Sequence, residues 1–310
     1  MIKLVMWQSV MARSARAWRL AAVLIVASCT SLPVIEQDRA TVWTRSPGSG
    51  VSIPDVLNAR QRLHTVAFPI LRVAADFCDD TRPFFGLTAA GGDDSPATGD
   101  SAGPSSPASV VGARVLFTVP GSPADLAGLL EGDIVVSSNG VLLRHGRRES
   151  QFLFDGAVRG DGVQLQLVIR RGTVRRRVRI SPVEICDVDL SLNLSTVAAA
   201  WARGNKVTVS DAMLTFAASD DELAFAIAHE ISHIVLGHSA SSFGRGTANL
   251  EREADHVGLY LMARAGYDAT RGIEILVRLA KAFPWWDDGT QPSLMSRYKA
   301  VAKVANGIGQ

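Results

Sequence analysis

Leu223, Ala226, Ile227, Ile231, Ile234 and Val235 recur at helical spacing, as on a helix that is largely buried. Ser219-Asp220-Asp221-Glu222 stands just ahead of it in the order of a capping box: the Ser219 hydroxyl can accept from the amide three residues on, and Glu222 can reach back to the amide of Ser219. Three acids in the first turn also suit the positive end of the helix dipole. Gly237 supplies the stop. A second helix is predicted over 247–265, with Gly266 just past its end. Upstream of both, "NKVTVSDAM" contributes a short β-prone run at 206–210.

The middle of the chain is patterned differently. "VVGARVLFTV" predicts a strand, Pro120-Gly121-Ser122-Pro123-Ala124 opens a short helix, and Asn139-Gly140 between apolar runs signals a tight hairpin. Further on, Val174, Val178 and Ile180 alternate inward, so most of Arg170, Arg171, Arg175, Arg176, Arg177 and Arg179 are expected to face solvent. A solvated face is the default for such a cluster; attraction to anionic lipid headgroups is the weaker alternative. Residues 89–109 are rich in Gly, Ser, Pro and Asp, cannot bury a core, and read as a disordered loop.

The candidate chemistry lies on the buried helix. His229 and His233 are one turn apart on one face, so both imidazoles can reach a single metal ion. Glu230 can lean over the open coordination position and act as the base towards a bound water. Burial sharpens this reading, because a histidine or carboxylate on a mostly apolar helix is costly unless paired or metal-bound. On the second helix Glu251 and Asp255 share a face: Glu251 is the natural third ligand, and Asp255 can accept the outer N–H of a ligating histidine and fix its tautomer. Glu253 points about 200° away from Glu251 and is the poorer ligand candidate. His238, near the helix end, reads as a surface or dipole-stabilised histidine rather than a fourth ligand, which would fill the position that water needs.

His229-Glu230-x-x-His233 followed by "EREAD" at 251–255 resembles the HtpX / CAAX-prenyl-protease family of zinc metallopeptidases, most of all its soluble periplasmic members. The resemblance covers roughly 55–80 and 183–305. It implies a strand with a substrate-facing edge before the zinc helix, for which the run at 206–210 is the candidate. It also implies misfolded envelope proteins as substrates. One departure is Gln291-Pro292 ahead of Arg297, where the family often has His-Pro; Arg297 keeps a family-like position near the site. Residues 82–182 resemble a PDZ domain. That likeness makes Phe84-Phe85-Gly86-Leu87 the candidate carboxylate-binding loop, with the amides of Phe85, Gly86 and Leu87 holding a peptide C-terminus as the peptide adds to a sheet edge. A plain strand start fits the same four residues.

The N-terminus carries Lys3, Arg13, Arg16 and Arg19 before a short apolar stretch at 20–27, too short to span a bilayer. Val26-Ala27-Ser28-Cys29 resembles the lipobox of bacterial lipoproteins, which implies lipidation at Cys29; Met11 is an alternative start. Thr30 rather than Asp after Cys29 favours the outer membrane by the same resemblance. Cys78 and Cys186 remain, a pair that an oxidising periplasm would invite to form a disulfide; two buried free thiols are the competing reading. A length of 310 residues allows two compact domains, and a net charge of +2 gives no reason to expect nucleic acid.

These readings converge on an α+β chain: a mainly helical, gluzincin-like zinc-peptidase core with a small β-sheet, interrupted by a PDZ β-sandwich or barrel. The expected division is a lipoprotein signal peptide at 1–28, a tether at 29–54, the peptidase at 55–81 and 183–310, and the PDZ domain at 82–182. The expected function is a zinc metalloendopeptidase binding one Zn²⁺, lipid-anchored in the outer membrane and facing the periplasm, with polypeptide substrates. The alternative is a peptide-binding or chaperone lipoprotein whose peptidase half is silent.

Overall fold

The computed structural model describes residues 52–91, 112–143, 164–238, 247–284 and 293–308, all within one compact unit spanning Ala40–Gln310. The signal-peptide expectation, Cys29, most of the tether and residues 92–109 lie outside the described residues. The chain mixes helix and sheet. It opens with α1 (Ile53–Ala74), whose Ser52–Asp55 capping box forms from both sides. Leu63, Val66, Ala67, Ile70, Leu71 and Ala74 form its buried stripe. Then come β1 (Thr81–Phe84), β2 (Leu87–Gly91), β3 (Ala113–Thr118), α2 (Pro123–Leu126), β4 (Ile134–Ser138), β5 (Val141–Leu142), β6 (Leu165–Arg171) and β7 (Val174–Ile180). The remaining strands are β8 (Val183–Cys186), β9 (Asp189–Asn193), β10 (Ala200–Arg203) and β11 (Lys206–Ser210). Helices close the chain: α3 (Asp211–Phe216), α4 (Asp220–Val235), α5 (Thr247–Arg264), α6 (Ala269–Gly272), α7 (Glu274–Ala282) and α8 (Leu294–Ile308).

Two hydrophobic cores divide these elements. The larger joins α1 to β8, β11 and the C-terminal helices around α4, whose Leu223, Ala224, Ile227, Ala228 and Ile231 are fully buried. The smaller lies inside a six-stranded sheet ordered β2-β3-β4-β6-β7, with β5 paired to β4. There the expected small helix and hairpin occur: Ser122 caps α2, and Asn139 and Gly140 both take positive φ (47° and 81°) in a turn of primed type. Phe117 and Val119, at the end of β3, pack into the larger core rather than the smaller one. At the root of the insertion β1 pairs with β8, and Cys78 is disulfide-bonded to Cys186 with Cα atoms 5.7 Å apart.

Four local expectations need correction. Residues 89–91 belong to β2, paired with β3, so the loop begins later than position 89. Val174 is exposed, because it lies at the turn end of the hairpin beyond the core; only Val178 and Ile180 turn inward. Arg171 is not simply solvated: it grips the buried Asp133 through Nε and Nη2, both at 2.7 Å. Glu222 does not close the capping box on Ser219, because its carboxylate accepts from the Ala218 amide at 2.7 Å and faces Arg278.

Candidate metal centre

Two helices build the site. α4 starts where the Ser219 hydroxyl accepts from the Glu222 amide. It ends at Gly237, whose φ of 67° turns the chain back. There the amides of Gly237 and His238 donate to the carbonyls of Ile234 and His233 at 3.0 and 2.8 Å, a Schellman stop. α5 ends the same way, Gly266 and Tyr267 donating to Ala263 and Met262. α5 presses on α4 at Gly258, where a Cβ would stand 2.9 Å from the His229 amide nitrogen and 3.0 Å from its Cα. Only a residue without a side chain fits there. Asp255 and Glu251, about one and two turns back along the same face, are thereby brought against the histidines.

His229 Nε2, His233 Nε2 and the Glu251 carboxylate converge. The two nitrogens are 3.1 Å apart, and Glu251 oxygens lie 3.4 Å from His229 Nε2 and 3.5 Å from His233 Nε2. A tetrahedral zinc with ligand bonds of about 2.0–2.1 Å has ligand-to-ligand edges of about 3.3 Å, so this donor set fits that ion. Among the described residues these three side chains form the group able to hold a metal, and Glu253 lies outside it.

Each histidine has a partner on its other nitrogen. His229 Nδ1 lies 3.0 Å from Asp255 Oδ1. Asp255 is itself held by Arg297, whose Nε and Nη2 donate to its two oxygens at 2.9 and 2.6 Å. Arg297 Nη1 also reaches Glu251 at 3.0 Å, so Arg297 lies in the site. His233 Nδ1 lies 3.0 Å from His238 Nδ1, and His238 Nε2 is 3.4 Å from Glu253. His238 is therefore not a surface residue: its side chain is only 9% exposed.

The electrostatics follow from this packing. Burial and the Arg297 charge disfavour a proton on His229, but hydrogen bonds to Asp255 and Glu251 outweigh them and raise its pKa to about 9. For Asp255 burial favours the neutral acid, yet the His229 and Arg297 hydrogen bonds and the guanidinium charge hold it at about 2. Burial, with the Glu251 charge adding to it, lifts Glu230 to about 7 against the opposing pull of His229, Arg297 and the Ala202 amide. Burial and the charges of His229 and Arg297 lower His233 to about 4 against the opposing pull of Glu251, leaving it a neutral nitrogen donor.

The strand beside the site differs from the expected one. The run at 206–210 does form a strand, β11, but it is the centre of the sheet β10-β11-β9, with both edges already paired. The free edge next to α4 belongs to β10 instead, and the Ala202 amide there points at Glu230. In the smaller sheet, the candidate loop at Phe85, Gly86 and Leu87 is buried, with Gly86 at φ 72°. Its carbonyls are occupied: Ala124 N–H donates to Phe85 O at 2.8 Å and Val119 N–H to Gly86 O at 2.9 Å. The loop thus hangs on Val119, which is buried in the other core.

Sequence reasoning missed Gly258 and the partner role of His238. Both left a trace: a glycine inside a helix three residues past Asp255, and a third histidine placed just past a helix-stopping glycine.

Serine protease HTRA1 of Xenopus tropicalis is 35% identical over 79 residues, 26% of this chain and 16% of that protein, and HTRA1 of Xenopus laevis matches to the same extent. The chain thus spans under a fifth of the length of these curated relatives. The crystal structure of the HtrA3 PDZ domain bound to a phage-derived ligand covers 34% of this chain and 89% of its own, at 22% identity and a TM-score of 0.25. Residues 187–250 match the model of Peptidase family M48, a stretch that contains both histidines and Glu230 and stops one residue short of Glu251. Over that stretch the chain is similar to peptidase family M48, whose members are zinc metalloproteases.

Proposed function

We propose that this protein is a zinc metalloendopeptidase that cleaves extended segments of misfolded or unassembled envelope proteins. The observation that carries the reading is the convergence of His229, His233 and Glu251 at edges of 3.1–3.5 Å, with Glu230 next to the first ligand on the same buried helix. Those three residues would hold a zinc ion, which would supply Lewis acidity and bring the pKa of a bound water towards about 7. Asp255 and Arg297 keep His229 and Glu251 oriented. Glu230, with its carboxyl lifted to about 7, takes the proton of the attacking water and passes it to the departing amide nitrogen. An extended substrate adds to the free edge of β10, where main-chain hydrogen bonds give affinity with little sequence selectivity. The inserted sheet, read as a PDZ module, presents the outer edge of β2 to a second segment of the same substrate.

The lipobox-like string ending at Cys29 supports a lipid tether in the outer membrane, and the Cys78–Cys186 disulfide favours an oxidising compartment such as the periplasm. No helix among the described residues is long and apolar enough to cross a membrane. Cleavage of an unfolded protein substrate by wild type and by Glu230→Gln tests the mechanism. The variant is expected to keep its fold and bind zinc but lose hydrolysis; substantial residual cleavage would refute the role of Glu230.

A further inference from the structure

His233 needs a free Nε2 lone pair to act as a ligand, which puts its proton on Nδ1. Its Nδ1 faces His238 Nδ1 at 3.0 Å, so the second histidine must accept there and carry its own proton on Nε2. That Nε2 faces a carboxylate oxygen of Glu253 at 3.4 Å, an acceptor. Only one assignment of protons satisfies the whole line, running from His233 through His238 to Glu253. We propose that His238 is the positioning residue of the metal site: it fixes the tautomer and ring orientation of His233, as Asp255 does for His229. The inference rests on the metal-binding reading of His229, His233 and Glu251.

The backbone explains how a residue past the helix end comes to do this. Gly237, at φ 67°, reverses the chain, and the His238 amide then donates to the His233 carbonyl at 2.8 Å. The same turn folds the His238 ring back against the outer side of His233, with ring centroids 5.2 Å apart. His238 therefore stands on the far side of His233 from Nε2 and adds no ligand to the metal. Its side chain is 9% exposed, so water competes poorly for the His233 Nδ1 proton. Glu253 is 61% exposed, so the outer link is the weaker of the two. The line also ties the C-terminal end of α4 to α5. Each ligating histidine is thus anchored through its outer nitrogen, His229 directly and His233 by way of His238, to a carboxylate on α5.

Loss of such an outer partner costs about 10–100-fold in metal affinity. The test is zinc affinity by chelator competition on the full chain for wild type, His238→Ala and His238→Gln, with far-UV circular dichroism to check the fold. His238→Ala is expected to bind zinc about 10–100-fold more weakly, and His238→Gln, whose amide oxygen can accept from His233, to recover most of the loss. Equal affinity of wild type and His238→Ala overturns the proposal. A wild type that binds no zinc overturns the underlying metal-site reading instead. If His238→Ala fails to fold, nitrogen-15 NMR of wild type decides: a proton on Nε2 of His238 supports the proposal, and a neutral His238 protonated on Nδ1 refutes it.

Discussion

Gly258→Ala should weaken both the fold and the metal site, against the ordinary sign of that substitution. In an open helix, glycine to alanine stabilises by about 0.5–1 kcal/mol. Here the new Cβ would meet the His229 amide nitrogen at 2.9 Å, its Cα at 3.0 Å and the Ala228 carbonyl carbon at 3.1 Å. Carbon atoms in ordinary contact sit about 3.5–4.0 Å apart, so the two helix backbones must separate by roughly 0.5–1 Å. No flexible side chain can absorb this, since the three nearest atoms all belong to backbone. Overpacking of this kind costs about 1–3 kcal/mol. The displaced helix carries Glu251 and Asp255, while functional constellations tolerate only about 0.5 Å of misplacement. Zinc affinity is therefore expected to fall by at least about tenfold, the scale seen when support of a ligating group is lost. Urea unfolding and chelator competition on the same preparation measure the two effects. A variant as stable as wild type or more so, with zinc affinity within twofold, would refute the close-crossing argument.

Phe117→Ala should lower the stability of the larger core by about 3–5 kcal/mol, because this strand residue of the inserted sheet is buried in it. Tryptophan fluorescence is a selective reporter, since no tryptophan lies between residues 82 and 182; an unchanged fluorescence-detected transition would show that the insertion is a free appendage. For the same reason, replacing residues 82–182 by a short linker should cost stability even though no metal ligand is removed. Arg171→Met should strip the buried Asp133 of its charged partner and lower stability at neutral pH, less than for a fully buried pair because Arg171 is itself 31% exposed. Burial alone would raise the Asp133 pKa, but the hydrogen bonds from Arg171 and the Leu130 amide more than offset it and depress the value. Its contribution is therefore fully present above the ordinary carboxylate range and lost as pH falls through it towards the folded value. The stability gap between wild type and Arg171→Met, followed by far-UV circular dichroism, should narrow on acidification; a gap that widens would contradict the assignment.

What could be read from the sequence was the local part. The bounds of α4 and α5 followed from apolar spacing and from two glycines, Gly237 and Gly266, that adopt the positive φ of helix stops. The ligand set followed from the same helical geometry, because positions four apart share a face. Non-local pairing was not legible. The strand at 206–210 was placed correctly, but its parallel partner β9 carries no mark of that pairing, so its edge seemed free for substrate. Glu222 looked like a cap for Ser219 until Arg278, far along the chain, drew its carboxylate elsewhere. Phe117 reads as an ordinary strand residue, and only the packing of α1 shows that it faces the other core. His238 was expected at the surface because nothing in the local sequence shows that the turn at Gly237 folds it back onto His233.

The central claim is that His229, His233 and Glu251 hold one zinc ion and that Glu230 works beside it. Zinc content per chain, measured by elemental analysis on the purified full chain for wild type, Glu230→Gln and Glu251→Ala, tests it most directly when paired with cleavage of an unfolded substrate. The expected result is one zinc with cleavage for wild type, one zinc without cleavage for Glu230→Gln, and neither for a folded Glu251→Ala. A folded Glu251→Ala that still holds one zinc and cleaves, or a wild type that cleaves equally well after zinc is stripped by a chelator, would contradict it.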